Sequence, residues 1–166
     1  MPEFFDVVDD QGNIIGKATR EECHEKSLLH RTVHILILNS KGEMLIQKRS
    51  QNMDIAPSYW TSSAAGHVDL GELPEKAAYR ELEEELGTKT ELEEIGKIIS
   101  RLPVHTQLIT IFSGTHNGPF KPDNKEIEEI EFVKIGKIKR EIRLLTRKFT
   151  PGFMEVFRKL CEVKGI

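Results

Sequence analysis

Residues 66–87, GHVDLGELPEKAAYRELEEELG, are the stretch that decides the fold of this chain. The second half predicts a helix over residues 74–86, because Pro74 suits a first helical turn and Gly87 suits a left-handed stop just beyond the last turn. Three small or apolar side chains would form a stripe along this helix: Ala78, Leu82 and Leu86. Such a stripe predicts that the helix is anchored against a sheet.

The other face of the predicted helix is acidic. Glu81, Glu84 and Glu85 stand at positions i, i+3 and i+4, which share one face of an α-helix. Three carboxylates this close repel one another unless a cation neutralises them, and Mg²⁺ prefers hard oxygen ligands of this kind. The alternative is an exposed helix with a solvated acidic face. The fixed offsets from Gly66 and Glu72 favour the metal site.

The spacing of these residues resembles the Nudix box, written Gly-x5-Glu-x7-Arg-Glu-U-x-Glu-Glu-x-Gly-U with U apolar. Every specified position from Gly66 to Gly87 matches, including Glu72 and Arg80 between them. The resemblance gives Arg80 a structural role, in which it pairs with a box carboxylate. The last position departs, since Thr88 stands where an aliphatic residue is usual. We expect that departure to affect packing and not chemistry.

The resemblance to the Nudix superfamily implies an α+β fold. This fold is an α/β/α sandwich with a central mixed sheet, in which the box forms a loop–helix–loop. The resemblance also implies Mg²⁺, with Mn²⁺ as a substitute, bound by the Gly66 carbonyl and three carboxylates: Glu81, Glu84 and Glu85. The same three glutamates are the expected catalytic residues, and Glu85 is the first choice of general base. Glu126 and Glu129, in a later acidic run, are alternative bases, and that run is equally consistent with a solvated charged loop.

Segments outside the box narrow the resemblance to isopentenyl diphosphate isomerases and the Nudix hydrolases similar to them. These segments are residues 30–31, 47–50 and 58–67. Because both groups bind diphosphates, Arg49 and Lys48 are candidate substrate contacts, with ordinary solvation at a strand end as the alternative. Trp60, the only tryptophan, is a candidate for stacking on a nucleobase, with packing in the core as the alternative.

Two positions separate this chain from the isomerases. The isomerases use a cysteine just before the Gly/Ser-His pair, where this chain has Ala65. They also use a glutamate on the strand after the box, which aligns with Gln107. An alanine cannot move a proton, and a glutamine is a poor substitute for a carboxylate. Together with the intact box, these departures favour hydrolysis.

Histidines predict a second metal site, because the isomerase-like group holds a metal through histidines. His30 and His67 match two of those positions, and His105 falls near an acidic one. His24 or Cys23 lies near a third. The alternative is a set of polar side chains satisfied by backbone hydrogen bonds.

The bulk composition favours one domain over residues 1–166. The net charge of −3 shows no basic excess, so we expect no nucleic-acid polymer as partner. The acidic N-terminal stretch has no long apolar run, so we expect neither a secretory signal nor a membrane partner. Cys23 and Cys161 lie far apart, which favours a reducing cytoplasm over a disulfide framework. The oligomeric state stays open, and a homodimer is among the alternatives.

Apolar periodicity and turn residues predict the elements around the box. Hairpins are predicted over residues 7–16 and 35–49, strands over 30–38, 43–48, 92–101, 104–112 and 128–133, helices over 20–29, 135–142 and 151–163, and a loop over 50–59. We expect a Mg²⁺-dependent Nudix hydrolase that cleaves a diphosphate linkage in a small molecule, either a nucleoside diphosphate derivative or a related organic diphosphate. The rivals are an isopentenyl diphosphate delta-isomerase and a non-catalytic diphosphate-binding module.

Overall fold

A computed structural model describes residues 1–103 and 105–166, and within them it contains nine strands and four helices. In chain order the elements are β1 (Phe4–Val8), β2 (Ile14–Thr19), α1 (Arg20–Glu25), β3 (His30–Leu38), β4 (Met44–Arg49), β5 (Trp60–Thr61), β6 (Ala64–His67), α2 (Pro74–Leu86), β7 (Glu93–Leu102), β8 (His105–Thr115), β9 (Ile127–Val133), α3 (Ile135–Leu144) and α4 (Pro151–Lys164). The predictions for β3 and α2 are confirmed at both ends. The strand predicted from residue 104 begins at His105, and Val104 lies outside the described residues.

Strand β3 is the centre of a mixed sheet. It runs parallel to β8 over its whole length and antiparallel to β1, β4 and β6. Its sequence HRTVHILIL is an almost unbroken buried run, as expected for a strand that is covered on both faces. Alternation along β3 sends Val33, Ile35 and Ile37 to one face and Leu36 to the other.

Helices cover both faces of the sheet, which confirms the predicted α+β sandwich. Helix α2 packs Ala77, Ala78, Leu82 and Leu86 on the Val33 face. The opposite face carries the helical layer of α3 and α4, whose buried side chains are Ile138, Phe153, Val156, Phe157 and Leu160. None of the helices in the described ranges has both the length and the apolar character needed to cross a membrane.

The segments around the box differ from the sequence expectations in two places. The helix predicted over residues 20–29 ends at Glu25, because Ser27 adopts a left-handed φ of 51° and the chain then turns into β3. Strands β5 and β6 were not predicted, since the sequence AAGH of β6 has no β-branched residue. Strand β6 pairs with β3 through the register Val33–Gly66, and this pairing places residues 65–67 beside α2.

Candidate functional site

The three box glutamates of α2 lie at different depths. Glu85 is buried, and the side chain of Glu81 is 13% exposed, whereas that of Glu84 is 58% exposed. The difference arises because the apolar stripe of α2 faces the sheet and turns each acid by a different angle away from it. Helix α2 ends at Gly87 with φ 62°, so the predicted left-handed stop is confirmed.

Both oxygens of the Glu85 carboxylate receive hydrogen bonds from the sheet. Gln47 Nε2, on β4, donates to Oε1 at 2.9 Å. The backbone N–H of Ala65, on β6, donates to Oε2 at 3.1 Å. The carboxylate is therefore held at the junction of two strands, with lone pairs left for a further ligand.

Gly66 lies against the carboxylate of Glu81. A Cβ atom at this position would overlap Glu81 Cδ and Oε1. Only glycine lets the backbone approach that closely, which explains the first residue of the box. The structure places the Gly66 backbone against the Glu81 carboxylate, and the role of the Gly66 carbonyl as a metal ligand stays a prediction.

Arg80 ties the box together from the solvent side. Its Nε and Nη2 donate to the two oxygens of Glu72, each at 2.9 Å, and Nη1 donates to Glu81 Oε1 at 2.8 Å and to Glu84 Oε2 at 3.3 Å. Nη2 also donates to the backbone carbonyl of His67 at 3.0 Å. The expected pairing of Arg80 with a box carboxylate is thus present. Its planar fork fixes the side chains of three acids at once.

Burial and mutual repulsion make it unfavourable for Glu81 and Glu85 to be ionised at the same time. Burial raises the pKa of Glu81 to about 7, although Arg80 acts in the other direction. Burial and the charge of Glu81 raise the pKa of Glu85 well above its ordinary value. In contrast, hydrogen bonds from Arg80 lower the pKa of Glu72. Arg80 pairs with Glu81 but does not contact Glu85, so a divalent cation, which prefers hard oxygen donors, would balance the remaining charge of this pair.

Arg49 is the cation on the sheet side of the site. Burial lowers the pKa of its guanidinium, and the acids that act against this are Glu85, Asp54 and Glu126. Its Nε donates to the carbonyl of Ile55 at 3.0 Å, which holds the predicted loop over residues 50–59 against β4. Burial and Asp123 raise the pKa of Glu126. The charge of Arg49 lowers this pKa, and the charge of Glu84 raises it.

Lys48 and Trp60 lie on the other face of the sheet. Trp60 packs with the core under α3 and α4, where the guanidinium carbon of Arg147 lies 4.5 Å from its ring centroid. Lys48 alternates away from Gln47 and forms an ion pair with Glu128 at 3.6 Å. Glu129 is the strand partner of Lys48 on β9. These positions favour packing for Trp60 and solvation for Lys48 among the alternatives, and Arg49 stays the predicted substrate contact beside the carboxylates.

Three histidines form a cluster next to the box, and one of them, His67, lies on β6. The ligand nitrogens of His24, His30 and His67 all lie within 4.8 Å of one another. Phe5 stacks on His67 with ring centroids 4.5 Å apart, and His30 stacks on His67 at 5.3 Å. The structure thus brings together the predicted His30 and His67 and adds His24, one of the two residues considered for the third position. His105 is half-buried and lies outside this group of three.

The tautomer of His30 follows from its partner. Its Nδ1 lies 2.9 Å from the carbonyl of Leu28, so Nδ1 must carry the hydrogen and Nε2 the lone pair. Within residues 1–103 and 105–166, Nε2 of His30 and Nε2 of His67 are buried without a hydrogen-bond partner. Burial lowers the pKa of His30 and, together with the His30 charge, lowers that of His67 to about 3. Neutral imidazoles with free, converging nitrogens are the form that binds a transition metal.

The comparisons with known proteins agree with this geometry. The NUDIX domain family model matches residues 28–153. The chain belongs to the Nudix family. It is 33% identical over 157 residues to an uncharacterised Nudix hydrolase of Pseudomonas aeruginosa, which covers 94% of this chain and 92% of the relative. It is also 30% identical over 165 residues to an isopentenyl-diphosphate Delta-isomerase of Serratia proteamaculans, covering 96% and 92% of the two chains.

Solved structures show the same fold for this Nudix chain. A crystal structure of a Deinococcus radiodurans protein aligns with a TM-score of 0.81 at 20% identity, covering 95% of this chain and 98% of that one. A MutT protein of Methanosarcina mazei aligns with a TM-score of 0.69 at 24% identity, covering 82% and 95%. At these identities the likeness establishes the fold of the domain.

Some residues that hold the Nudix site were not found from the sequence. Gln47 bonds Glu85 across 38 positions of the chain, and no local pattern signals that contact. The carboxylate Oδ2 of Asp6, on β1, accepts from Arg31 at 2.7 Å and from the N–H of Gly71 in the box loop at 2.9 Å. β1 lies outside the matched family segment, so only the fold reveals that it supports the box.

Thr88, the one departure from the box pattern, also has a structural partner. Its Oγ1 lies 3.0 Å from Nε2 of His116, and Nδ1 of His116 accepts from the N–H of Gly118 at 2.9 Å. The hydroxyl therefore joins the end of the box to the chain that follows β8. Gln107, the other departure that was noted, is the β8 partner of His30, and its Oε1 accepts from Thr32 at 3.4 Å.

Proposed function

We propose that this protein is a Mg²⁺-dependent Nudix hydrolase that cleaves a diphosphate linkage in a nucleoside diphosphate derivative or a related organic diphosphate, with Mn²⁺ able to replace Mg²⁺. The observation that carries the proposal is the packing of the Glu81 carboxylate against Gly66, beside the buried Glu85. Two like charges at such depth are costly unless a cation joins them.

The residues present fit a magnesium ion. Glu81, Glu84 and Glu85 offer carboxylate oxygens on one helical face, and the Gly66 backbone lies against Glu81. Bound Mg²⁺ would neutralise phosphate oxygens and lower the pKa of a water at the site. Arg80 occupies the outer side of Glu81 and Glu84, so these two side chains are already oriented before any ligand arrives.

The side chains of the site then have distinct roles in the hydrolysis. Glu85 accepts the proton of the attacking water, whose oxygen bonds to phosphorus while the bridging P–O bond breaks. Arg49 donates to the phosphate that leaves with the bond electrons. Glu126 is the alternative base, because it borders Arg49 and Glu84, whereas Glu129 is paired with Lys48 on β9.

The test is hydrolysis of a panel of nucleoside and organic diphosphates with Mg²⁺, measured as phosphate or nucleotide release. The variants are Glu84→Gln and Glu85→Gln, and the matched control is Glu83→Gln. Glu83 lies on the same helix, and its side chain is 58% exposed, as is that of Glu84, but its ion pair is with Lys89. We expect loss of turnover in the first two variants and full turnover in the control. Full activity in both Glu84→Gln and Glu85→Gln would remove this site from the reaction.

An isomerase is the second candidate function, because one of the relatives is named an isopentenyl-diphosphate Delta-isomerase. The isomerase reaction needs a proton donor and a proton acceptor at the substrate carbons. Ala65 has no proton to give, and the amide of Gln107 does not titrate. Incubation with isopentenyl diphosphate should therefore yield no dimethylallyl isomer. Detection of that isomer would replace hydrolysis as the assigned reaction.

For the histidine cluster we infer a separate transition-metal site. Three imidazole nitrogens suit Zn²⁺ or a similar ion better than Mg²⁺, which prefers oxygen. The support is the pair of unpartnered, buried Nε2 atoms of His30 and His67, as far as the described chain shows. Metal analysis of the purified protein should find a transition metal that is lost in His30→Gln. Equal metal content in the two proteins would contradict this site.

We also propose that residues 1–166 form one domain and that the protein works in a reducing cytoplasm. Cys23 and Cys161 are both free thiols in the structure, so nothing about them requires an oxidising compartment. The expected partner is the small-molecule diphosphate.

A further inference from the structure

We propose that Gln47 is a positioning residue for the metal-binding carboxylate of Glu85. This inference rests on the proposed function, since it concerns the same carboxylate. Gln47 lies on β4, is 3% exposed, and sends its side chain into the space between β6 and α2. Its Nε2 donates to two acceptors at once, Glu85 Oε1 at 2.9 Å and the backbone carbonyl of Ser63 at 3.0 Å.

The orientation of the Gln47 amide follows from the chemistry of its partners. A backbone carbonyl can only accept, so the Gln47 group that faces Ser63 must be the NH₂ and not the oxygen. The same NH₂ must then face Glu85. Both of its hydrogens are used, and a rotation of the amide by half a turn would place its oxygen against two other oxygens. The Ser63 carbonyl therefore fixes the orientation of the amide in which Nε2 donates to Glu85.

Ser63 is itself immobilised between two core strands. Its Oγ accepts from the N–H of Ile37 at 2.8 Å and donates to the carbonyl of Leu45. Ile37 belongs to β3 and Leu45 to β4, so the serine is fixed by both strands. Hydrogen bonds therefore connect the central strands through Ser63 and Gln47 to Glu85, and they hold its carboxylate in a fixed position.

The carboxylate of Glu85 needs these hydrogen bonds to stay in position, because Glu81 repels it. The Ala65 N–H holds only Oε2, so the carboxylate could rotate about that contact if Oε1 were released. Gln47 supplies the second contact and fixes the carboxylate plane relative to Gly66 and Glu81. Residues that orient a metal ligand in this way usually change metal affinity about 10- to 100-fold when they are replaced.

The experiment is a Mn²⁺ titration followed by electron paramagnetic resonance on the full chain. The variant is Gln47→Met, which keeps the length of the side chain and removes the donor. We expect the Kd for Mn²⁺ to rise about tenfold. With saturating metal, kcat should fall while KM for the substrate stays within about twofold, because Gln47 does not contact the substrate. Gln47→Asn retains an amide on a shorter stem and should also weaken Mn²⁺ binding, which provides a second reading if Gln47→Met folds poorly.

The matched control is Ser113→Ala. Ser113 is 7% exposed on β8, and its Oγ donates to the carbonyl of Leu36 at 3.0 Å, so the variant also loses a buried bond to the backbone. Its Kd for Mn²⁺ should be that of the wild type. Unchanged Mn²⁺ affinity in a folded Gln47→Met or Gln47→Asn variant overturns the inference. A wild-type protein that binds no Mn²⁺ contradicts the proposed function itself, so the two failures are distinguishable.

Discussion

The carboxylate site and the histidine cluster are neighbours on β6, yet they are built in opposite ways. Gly66 contacts the carboxylate site, and the next residue, His67, supplies a ring to the cluster. The carboxylates come from one helix, and Arg80 pairs with two of them, Glu81 and Glu84. The histidines come from α1, β3 and β6, and two of them, His30 and His67, stack with Phe5. One strand thus separates a hard-oxygen site from a nitrogen site, and the two should select different metals.

The largest expected effect separates the two regions by function. Glu81→Gln should lower kcat/KM for a diphosphate roughly 10³-fold, because it removes a ligand of the metal that would stabilise the charge on the reacting phosphates. His24→Gln should leave kcat/KM within about threefold and abolish the bound transition metal. Hydrolysis assays and elemental analysis on both variants check this. If His24→Gln lost as much turnover as Glu81→Gln, the two clusters would be one functional unit.

Stability without metal should depend on pH in opposite directions at the two regions. The pKa of Glu81 is raised to about 7 in the folded state, so its contribution is present below the unfolded value of 4.5 and is lost as pH rises through 7. The pKa of His67 is lowered to about 3, so its contribution is present above 6.5 and is lost as pH falls toward 3. Each contribution is a few kcal/mol, since one pKa unit corresponds to about 1.4 kcal/mol.

Urea unfolding of the chelator-treated protein across pH measures these two contributions. Glu81→Gln should flatten the decline in the free energy of unfolding toward neutral and alkaline pH, and His67→Gln should flatten the decline toward acid. The same profile in both variants and in the wild type would show that neither pKa shift contributes to the free energy of unfolding.

A tenfold effect is expected for metal affinity at the carboxylate site. A proton on Glu81 competes with the metal below the raised pKa of about 7. Lowering the pH from about 8 to about 6 should therefore raise the Kd for Mg²⁺ about tenfold, with release of a proton on binding. Calorimetry in two buffers of different ionisation enthalpy measures both quantities. An affinity independent of pH would mean that Glu81 is already ionised in the free protein.

The smallest expected effect lies outside both regions, at Thr88. Thr88→Val keeps the β-branched shape and removes the hydroxyl that contacts His116. We expect a loss of about 1 kcal/mol in the free energy of unfolding, as for one hydrogen bond, and turnover within about twofold. A large loss of activity would show that the last box position has a chemical role in this chain.

The sequence predicted the contiguous region well and the dispersed one only in part. The three box glutamates are neighbours on one helix, so their offsets already describe their geometry, and Gly87 is required by the left-handed end of that helix. His24 and His67 are 43 positions apart, and only the pairing of β3 with β6 and the turn after α1 bring them together. Gln47 and Asp6 act through contacts of the same long-range kind, which a periodic pattern cannot contain.

Strand alternation distinguishes two residues that the sequence analysis took together. Lys48 and Arg49 are adjacent cations, and both were candidate phosphate contacts with solvation as the alternative. In a strand, successive side chains point to opposite faces, so only one of them can face α2. The structure places Arg49 beside Glu85 and Lys48 beside Glu128.

Mn²⁺ binding to Glu85→Gln, compared with the wild type and Glu83→Gln, tests the central claim most directly. The measurement is an electron paramagnetic resonance titration at about pH 8, with the transition-metal site filled beforehand. We expect tight binding in the wild type and in Glu83→Gln, and affinity weaker by about a hundredfold in Glu85→Gln. Equal affinity in all three proteins would contradict the claim that the buried acids of α2 form a divalent-cation site.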